Sequence, residues 1–278
     1  MRTFATAPRS SVRGFSLLEL MFALTIGLVL SLAVGQIFLG SRAGFTSNDN
    51  LSRVQENARY ALGLLSREIR LSTYRSDPRV ARATLYPLAT APSLTGADGG
   101  TGGVPVSGLS DTITVRFQGS GTGTGTADGT VQDCVGNRID SGATVVNTLF
   151  IQNDAANNNE PTLFCNTVTT ACVAATCFAL VPGVENMQVL YGEDINSGAA
   201  SPNPDGSIDR WVTAANVTNW DNVLSVRISL LLRTDDRVGT TVDAKSYSMS
   251  GTNVYAPGND TRLRRVFTTV INLRNRTS

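Results

Sequence analysis

The chain has 278 residues, 41% of them hydrophobic, enough apolar material for one large domain or two small ones. A formal charge of +1 sets up no global field for recruiting nucleic acid or anionic lipid. With no histidine, His-based triads and His-metal sites are excluded, and the single lysine, Lys245, follows Ala244, so no GxxxxGK[ST] phosphate loop exists.

From the N-terminus, residues 1–14, MRTFATAPRSSVRG, carry Arg2, Arg9 and Arg13 and no acid, which by the positive-inside rule keeps this end cytoplasmic. Leu20 to Ser41 is a run of 22 residues without a charge. As a helix rising about 1.5 Å per residue it can cross a hydrocarbon core of about 30 Å once. Glu19 intrudes at the start of this apolar stretch. An ionised acid near a bilayer centre costs at least about 2.5 kcal/mol, less near the interface, so it calls for a specific partner. A plain signal anchor explains the length but not the acid. A secretory signal cut after Ser31-Leu32-Ala33 would hold Glu19 inside its apolar region and leave apolar residues running on to Leu39.

Helical spacing continues in Val54, Ala58, Ala61, Leu62, Leu65 and Ile69, while Arg53, Glu56, Arg59, Arg67 and Arg70 take other angles. With no proline between Phe15 and Tyr74, this predicts a nearly continuous helix to about Thr73, weakened at Gly35, Gly40 and Gly44. Glu56 with Arg59, and Arg67 with Glu68, read as a solvated helix face.

After Asp77-Pro78 the texture changes to short alternating segments. In VLSVRISLLLR, 223–233, Leu224, Val226, Ile228, Leu230 and Leu232 share one face, the pattern of a half-buried strand. Ile113, Val115 and Phe117 alternate likewise, as do Met187, Val189 and Tyr191, and further strands are expected near 147–152, 162–165, 177–181 and 266–273. Glycine is dense between Thr95 and Thr130, which reads as flexible surface loops with one strand inside, not as a nucleotide cradle.

Cys134, Cys165, Cys172 and Cys177 all lie beyond the apolar segment, an even number that suits two disulfides outside the cytosol. Three pairings are possible, and Cys134–Cys165 with Cys172–Cys177 is preferred. In SPNPDGSIDRW, Asn203, Asp205, Ser207 and Asp209 are oxygen donors around Gly206, a weak calcium candidate against which an Asx-rich turn is the stronger reading. Arg262, Arg264, Arg265, Arg274 and Arg276 flank the last strand and could grip phosphates, but arginines there more often solvate a strand edge.

Gly14 followed by Phe15, then Ser-Leu-Leu-Glu19 and an apolar helix, resembles the class III leader of type IV pilins and pseudopilins. By that resemblance a prepilin peptidase cuts between Gly14 and Phe15, the new Phe15 amine is N-methylated, and Glu19 pairs with the Phe15 amine of a neighbour in the filament. Phe15 and Glu19 are four residues apart, so within one helix they would share a face. SRVQENARYALGLLSREIR, LFIQND, LVPGVENMQVLYG, WDNVLSVRISLLLR and LRRVFTTVINLRNR resemble the PilW-type minor pilins. Gln36 stands where many major pilins carry proline, and the head of about 200 residues exceeds what a bulk subunit needs.

The resemblance implies an α+β, pilin-like fold in which a long N-terminal helix, transmembrane then amphipathic, packs on a C-terminal antiparallel β-sheet head. The divisions expected are a leader at 1–14, a filament-core half-helix at 15–40, an amphipathic half at 41–73 and a periplasmic head at 74–278. The implied role is non-enzymatic: a minor pilin that primes type IV pilus assembly and lies at the tip, anchored in the inner membrane before assembly. Its implied partners are prepilin peptidase, other minor pilins, the major pilin, the inner-membrane assembly platform and a tip adhesin, with no cofactor beyond the calcium candidate and no nucleic acid. A J-class pseudopilin of type II secretion shares this leader and architecture. A membrane-anchored periplasmic binding module using the Asp205 region is the alternative of another class.

Overall fold

The structure, a computed structural model, describes residues 14–99, 110–121, 126–168, 176–195, 205–238, 242–243, 245–250, 253–255 and 260–276. The first helix, α1, spans Leu17–Leu71, and the chain divides into two compact units between Asn48 and Asp49.

The first unit is helical and apolar. Its large side chains from Leu17 to Phe45 are exposed, and its most apolar window has a mean hydropathy of 2.4 with none of it buried by protein. Its few hydroxyls turn back onto the helix: Thr25 Oγ1 donates to Phe22 O at 3.0 Å and Ser31 Oγ to Gly27 O at 2.8 Å. The interior backbone groups of a helix are paired within the segment, and these hydroxyls are paired there too, an arrangement that suits an apolar surrounding.

In the second unit the apolar stripe of α1 meets a β-rich core. Val54, Ala58, Ala61, Leu65 and Ile69 are buried in one cluster with residues from two sheets. A single turn of helix, α2 (Arg82–Leu85), follows α1. The first sheet is a five-stranded antiparallel meander in chain order: β1 (Leu94–Ala97), β2 (Thr112–Gln118), β3 (Thr144–Asp154), β4 (Glu160–Asn166) and β5 (Cys177–Pro182). The remaining strands are β6 (Val184–Glu193), β7 (Arg210–Val212), β8 (Val223–Arg233), β9 (Tyr247–Met249), β10 (Asn253–Tyr255) and β11 (Arg264–Asn272). Four of them form a second antiparallel sheet in the order β11-β8-β6-β7, and β9 and β10 pair as a separate hairpin. An α+β head on an amphipathic helix is therefore the architecture.

Alternation explains most of these strands. Ile113, Val115 and Phe117 on β2 are buried, with Ile113 opposite Leu149 and Phe117 opposite Val145 on β3. β8 departs from the half-buried expectation: Ser225, Ser229 and Leu231, on its other face, are buried as well. Met249 of β9 packs with Leu231 in a second small cluster, and Ser229 Oγ is within hydrogen-bond distance of Ser250 Oγ (2.6 Å) and Thr268 Oγ1 (2.8 Å). A cover contributed from later in the chain turned a one-sided strand into a two-sided one.

Two described parts of the glycine-dense region are tied into the fold. Gly96 lies within β1, where a Cβ would come 1.9 Å from the hydroxyl of buried Tyr191, so only glycine permits that approach. Farther on, the Asp128 carboxylate accepts from Ser120 Oγ at 2.6 Å and Thr130 N at 2.8 Å, and Val131 and Cys134 reach the core. Residues 100–109 and 122–125 of this region lie outside the described residues.

Ser110 and Asp111 stitch the two sheets together. Asp111 N donates to Met187 O at 2.8 Å, and its carboxylate accepts from Gly99 N at 3.0 Å and Val189 N at 2.8 Å, tying the end of β1 to β6. Burial pushes the Asp111 carboxyl up to about 6, the two amide hydrogen bonds oppose this, and nearby Asp98 adds to the rise. Because the folded value lies above the unfolded one, the folded state holds the extra proton and loses stability as pH rises from about 4 to about 6. Urea titrations across that window should show stability falling by up to about 3 kcal/mol more in the wild type than in Asp111→Asn. Equal slopes for the two chains would refute the assignment.

Candidate functional site

Gly14, Phe15 and Ser16 precede α1 in non-helical backbone, and Phe15 is 85% exposed. Ser16 caps the helix: Glu19 N donates to Ser16 Oγ at 3.3 Å, and Leu20 N to Ser16 O at 3.1 Å. Ser-Leu-Leu-Glu therefore has the S-x-x-E spacing of a capping box, a signal present in the sequence but overshadowed by the charge of Glu19. Two consequences follow. The Gly14–Phe15 bond lies outside the helix. Glu19 lies in the first turn, at the positive end of the helix dipole. Because Ser16 caps α1, Phe15 lies outside the helix and does not share an i,i+4 helical face with Glu19.

On the head, Cys134 and Cys165 are joined with Cα atoms 6.5 Å apart, binding the loop after residue 131 to β4. Cys177 is also disulfide-bonded, whereas Cys172 lies outside the described residues. The loop is internally braced: Asp133 Oδ1 accepts from Val135 N at 3.0 Å and Asn137 N at 2.8 Å, and Asp133 Oδ2 from Asn137 Nδ2 at 2.8 Å.

Opposite that loop, Glu68 is fully buried, which overturns its reading as part of a solvated helix face. Its Oε1 accepts from Arg67 Nη2 at 2.7 Å and Nε at 3.1 Å, and its Oε2 from Asn147 Nδ2 at 2.7 Å. Burial raises the Glu68 carboxyl, and Arg67 and Asn147 pull it back. Arg67 Nη2 also donates to Asp133 O at 2.9 Å, so one guanidinium links helix, buried acid and disulfide-held loop. Glu56 and Arg59 are exposed, as expected of a solvated face.

Of the arginines around β11, Arg262 and Arg264 are spent internally, while Arg265 and Arg274 are exposed as a solvated strand edge would have them. Arg264, its side chain 1% exposed, donates to Glu185 Oε2 at 2.7 Å and Oε1 at 3.0 Å and to Asp260 Oδ1 at 2.7 Å. Arg233 donates to Glu160 and Glu185 at 2.9 Å each, and Arg262 to Glu160 at 3.1 Å. The network joins β4, β6, β8 and β11 across both sheets and turns Arg233, Arg262 and Arg264 inward onto carboxylates, with Arg262 Nε buried and without a partner among the described residues. Arg265 is exposed, and the Arg276 side chain lies outside the described residues.

In the calcium candidate, Asp205 Oδ1 accepts from Ser207 N at 2.8 Å, an Asx turn, and Asp209 Oδ2 from Ile195 N at 2.8 Å. Gly206 N donates instead to Asp194 Oδ2 at 2.8 Å, and Asn203 lies outside the described residues. Among the described residues no group of three or more His, Cys, Asp or Glu side chains could hold a metal ion.

Residues 148–275 match the family model described as Type IV Pilus-assembly protein W, and residues 9–35 match the prokaryotic N-terminal methylation motif. The chain is thus similar to that family over a little under half of its length, and to the methylation motif at its N-terminal end. The PilW region begins within β3 and runs to the end of β11, so it takes in the Cys165 end of the disulfide and the buried arginine network. No curated protein matches the sequence. Among solved structures, a type IV-like pilin from Thermus thermophilus is similar at 14% identity and a TM-score of 0.47, covering 81% of this chain and 99% of its own.

The PilW-region network makes a direct demand on stability. Arg264→Met should cost about 3–5 kcal/mol in chemical denaturation, because it leaves buried carboxylates short of a partner. A loss below about 1 kcal/mol, the scale of an exposed ion pair, would return these arginines to the solvated surface.

Proposed function

We propose that this chain is a minor pilin that primes type IV pilus assembly and remains at the pilus tip. The observation that carries the proposal is the N-terminal junction, where Ser16 caps α1, the Gly14–Phe15 bond lies just outside the helix and Glu19 occupies its first turn. Prepilin peptidase cuts that bond on the cytoplasmic side, and the freed Phe15 amine is methylated. Glu19, held at the start of an apolar helix with no water to solvate it, then seeks a positive partner. With Phe15 outside the helix frame, that partner is a neighbour's N-terminal amine, and the pairing sets the register of incoming subunits.

The apolar helix of the first unit serves as anchor before assembly and as part of the filament core afterwards, so the hydrophobic segment is kept after processing. The head lies in the periplasm until the subunit enters the filament and is then displayed at the cell surface. Its partners are the other minor pilins, the major pilin, the inner-membrane platform and a tip adhesin. The role is structural: the head's buried carboxylates and guanidiniums are consumed by one another and by backbone amides.

Mass spectrometry of the chain purified from membranes should find a mature start at N-methyl-Phe15, and an intact Met1 or a start at Val34 would overturn the proposal. Glu19→Ala should leave the chain processed and folded but reduce its incorporation at least tenfold. Wild-type incorporation of that variant would remove Glu19 from the mechanism. Deletion should abolish surface pili, whereas loss of secreted proteins with pili intact would favour the type II secretion reading.

A further inference from the structure

The four-stranded sheet has a second face, opposite the one that Val226, Ile228 and Leu230 give to the core. On β8 that face carries Ser225, Arg227, Ser229, Leu231 and Arg233, because side chains alternate along a strand. The chain around β9 covers part of it, where Met249 packs on Leu231 and Ser250 Oγ lies 2.6 Å from Ser229 Oγ. Arg227, next along the same face, is half-buried.

Guanidiniums on this face differ in how they are held. Arg233 and Arg264 are clasped by Glu160, Glu185 and Asp260. Arg227 instead lies over Trp211, its Cζ 4.2 Å from the ring centroid, and makes no hydrogen bond or ion pair among the described residues. Stacking on an indole fixes the plane of a guanidinium and leaves the N–H donors in that plane unspent.

The neighbours of Arg227 are set by register. It stands opposite Val270 on β11 and Leu190 on β6, and in the adjoining row Ser225 stands opposite Asn272 and Gly192. Val270 is 49% exposed, and Asn272 is exposed beside it. Asn272 Oδ1 accepts from Ser225 Oγ at 2.6 Å, which orients the carboxamide, and its Nδ2 has no partner among the described residues. Ile208 and Trp211 close over Gly192, where a Cβ would come 3.0 Å from Ile208 Cδ1 and 3.2 Å from the Trp211 ring. An oriented guanidinium and an oriented carboxamide therefore stand amid apolar surface on paired strands, so little ordering is needed on binding.

We propose that this face binds an acidic saccharide, a uronate or sialate residue, with its carboxylate on two parallel N–H donors of Arg227. Asn272 Nδ2 donates to a sugar hydroxyl, and Val270 and Ile208 meet the C–H face of the ring. The charge fits, because a lone unclasped guanidinium matches a single negative charge, whereas a phosphate dianion calls for more cations. The place fits as well. A sheet face between paired strands offers no row of unpaired backbone N–H and C=O groups, so a peptide cannot add there as a further strand. The site stands on its own geometry and does not rest on the pilus reading.

The test titrates the full chain, purified in detergent, with tetragalacturonate and with sialyllactose, against the methyl ester of the first and lactose as neutral counterparts. One acidic sugar should bind about tenfold or more tightly than its neutral counterpart, and which one does so separates uronate from sialate. Arg227→Lys keeps the charge but loses the planar pair of donors, and should weaken that binding by about tenfold. Because Arg227 also covers Trp211, Asn272→Asp supplies a second variant. It keeps the acceptor for Ser225 Oγ, so the melting temperature should hold while a negative charge beside the site weakens binding by about tenfold. Equal binding of acidic and neutral sugars, binding of neither, or wild-type affinity in either variant overturns the proposal. Tighter binding of tetraglutamate than of either acidic sugar also overturns it, and marks the face as a protein-docking surface instead.

Discussion

The head depends on one contact, the burial of the Val54–Ile69 stripe of α1 beneath two antiparallel sheets. Neither sheet could hide its inner face against the other alone at so many positions, and the helix supplies the missing surface. Ala58 and Ala61 keep the helix close, while Leu65 and Ile69 fill space in the same core cluster. Each fully buried aliphatic side chain contributes roughly 1.5–3 kcal/mol, so the stripe is a large share of what a domain of this size can spare. The same helix carries, before Asn48, large apolar side chains that are exposed among the described residues.

Having tied the helix to the sheets by apolar contact, the fold buries charge in the same places. Glu68 is neutralised by Arg67 and Asn147, Glu185 by Arg233 and Arg264, and Glu193 by Arg210, Thr218 and Asn219. Burial alone would raise Glu193, but its hydrogen bonds to Thr218, Arg210 and Asn219 hold it below the usual carboxylate range. Such groups add little net stability relative to apolar replacements, yet losing one partner is expensive. They specify how strands from distant parts of the chain must meet.

Local pattern explains where reading the sequence succeeded and where it did not. The 3.6-residue and two-residue periodicities placed α1, β2, β6 and β8 because each element's main apolar face leaves its period in the residues that form it, even though β6 and β8 are buried on both faces. The Cys134–Cys165 bond was one of three pairings that spacing allowed, and only the fold brings those Cα atoms within reach. Gly96 looked like a linker residue because the reason for it, the Tyr191 hydroxyl, comes from a strand almost a hundred positions later. Arg264 and Glu68 looked like surface charges because each sits beside other charged residues, while their true partners include Glu185 and Asn147, roughly eighty residues away in each case.

By itself the sequence determined the leader-like junction at Gly14–Phe15, the acid at Glu19, a helix with an apolar and then an amphipathic portion, and a β-rich head. These are statements about neighbours along the chain, and the physics behind them acts over a few residues. Only the tertiary structure decided that the helix begins after Ser16, that β8 is covered on both faces, and that Arg264 is a buried clasp while Arg265 beside it stays exposed. It also decided that Arg227 lies on Trp211 across from Gly192 and Val270, without an ion pair among the described residues. Those outcomes depend on which distant groups share a space, and desolvation then sets whether a charge or a glycine is tolerated there.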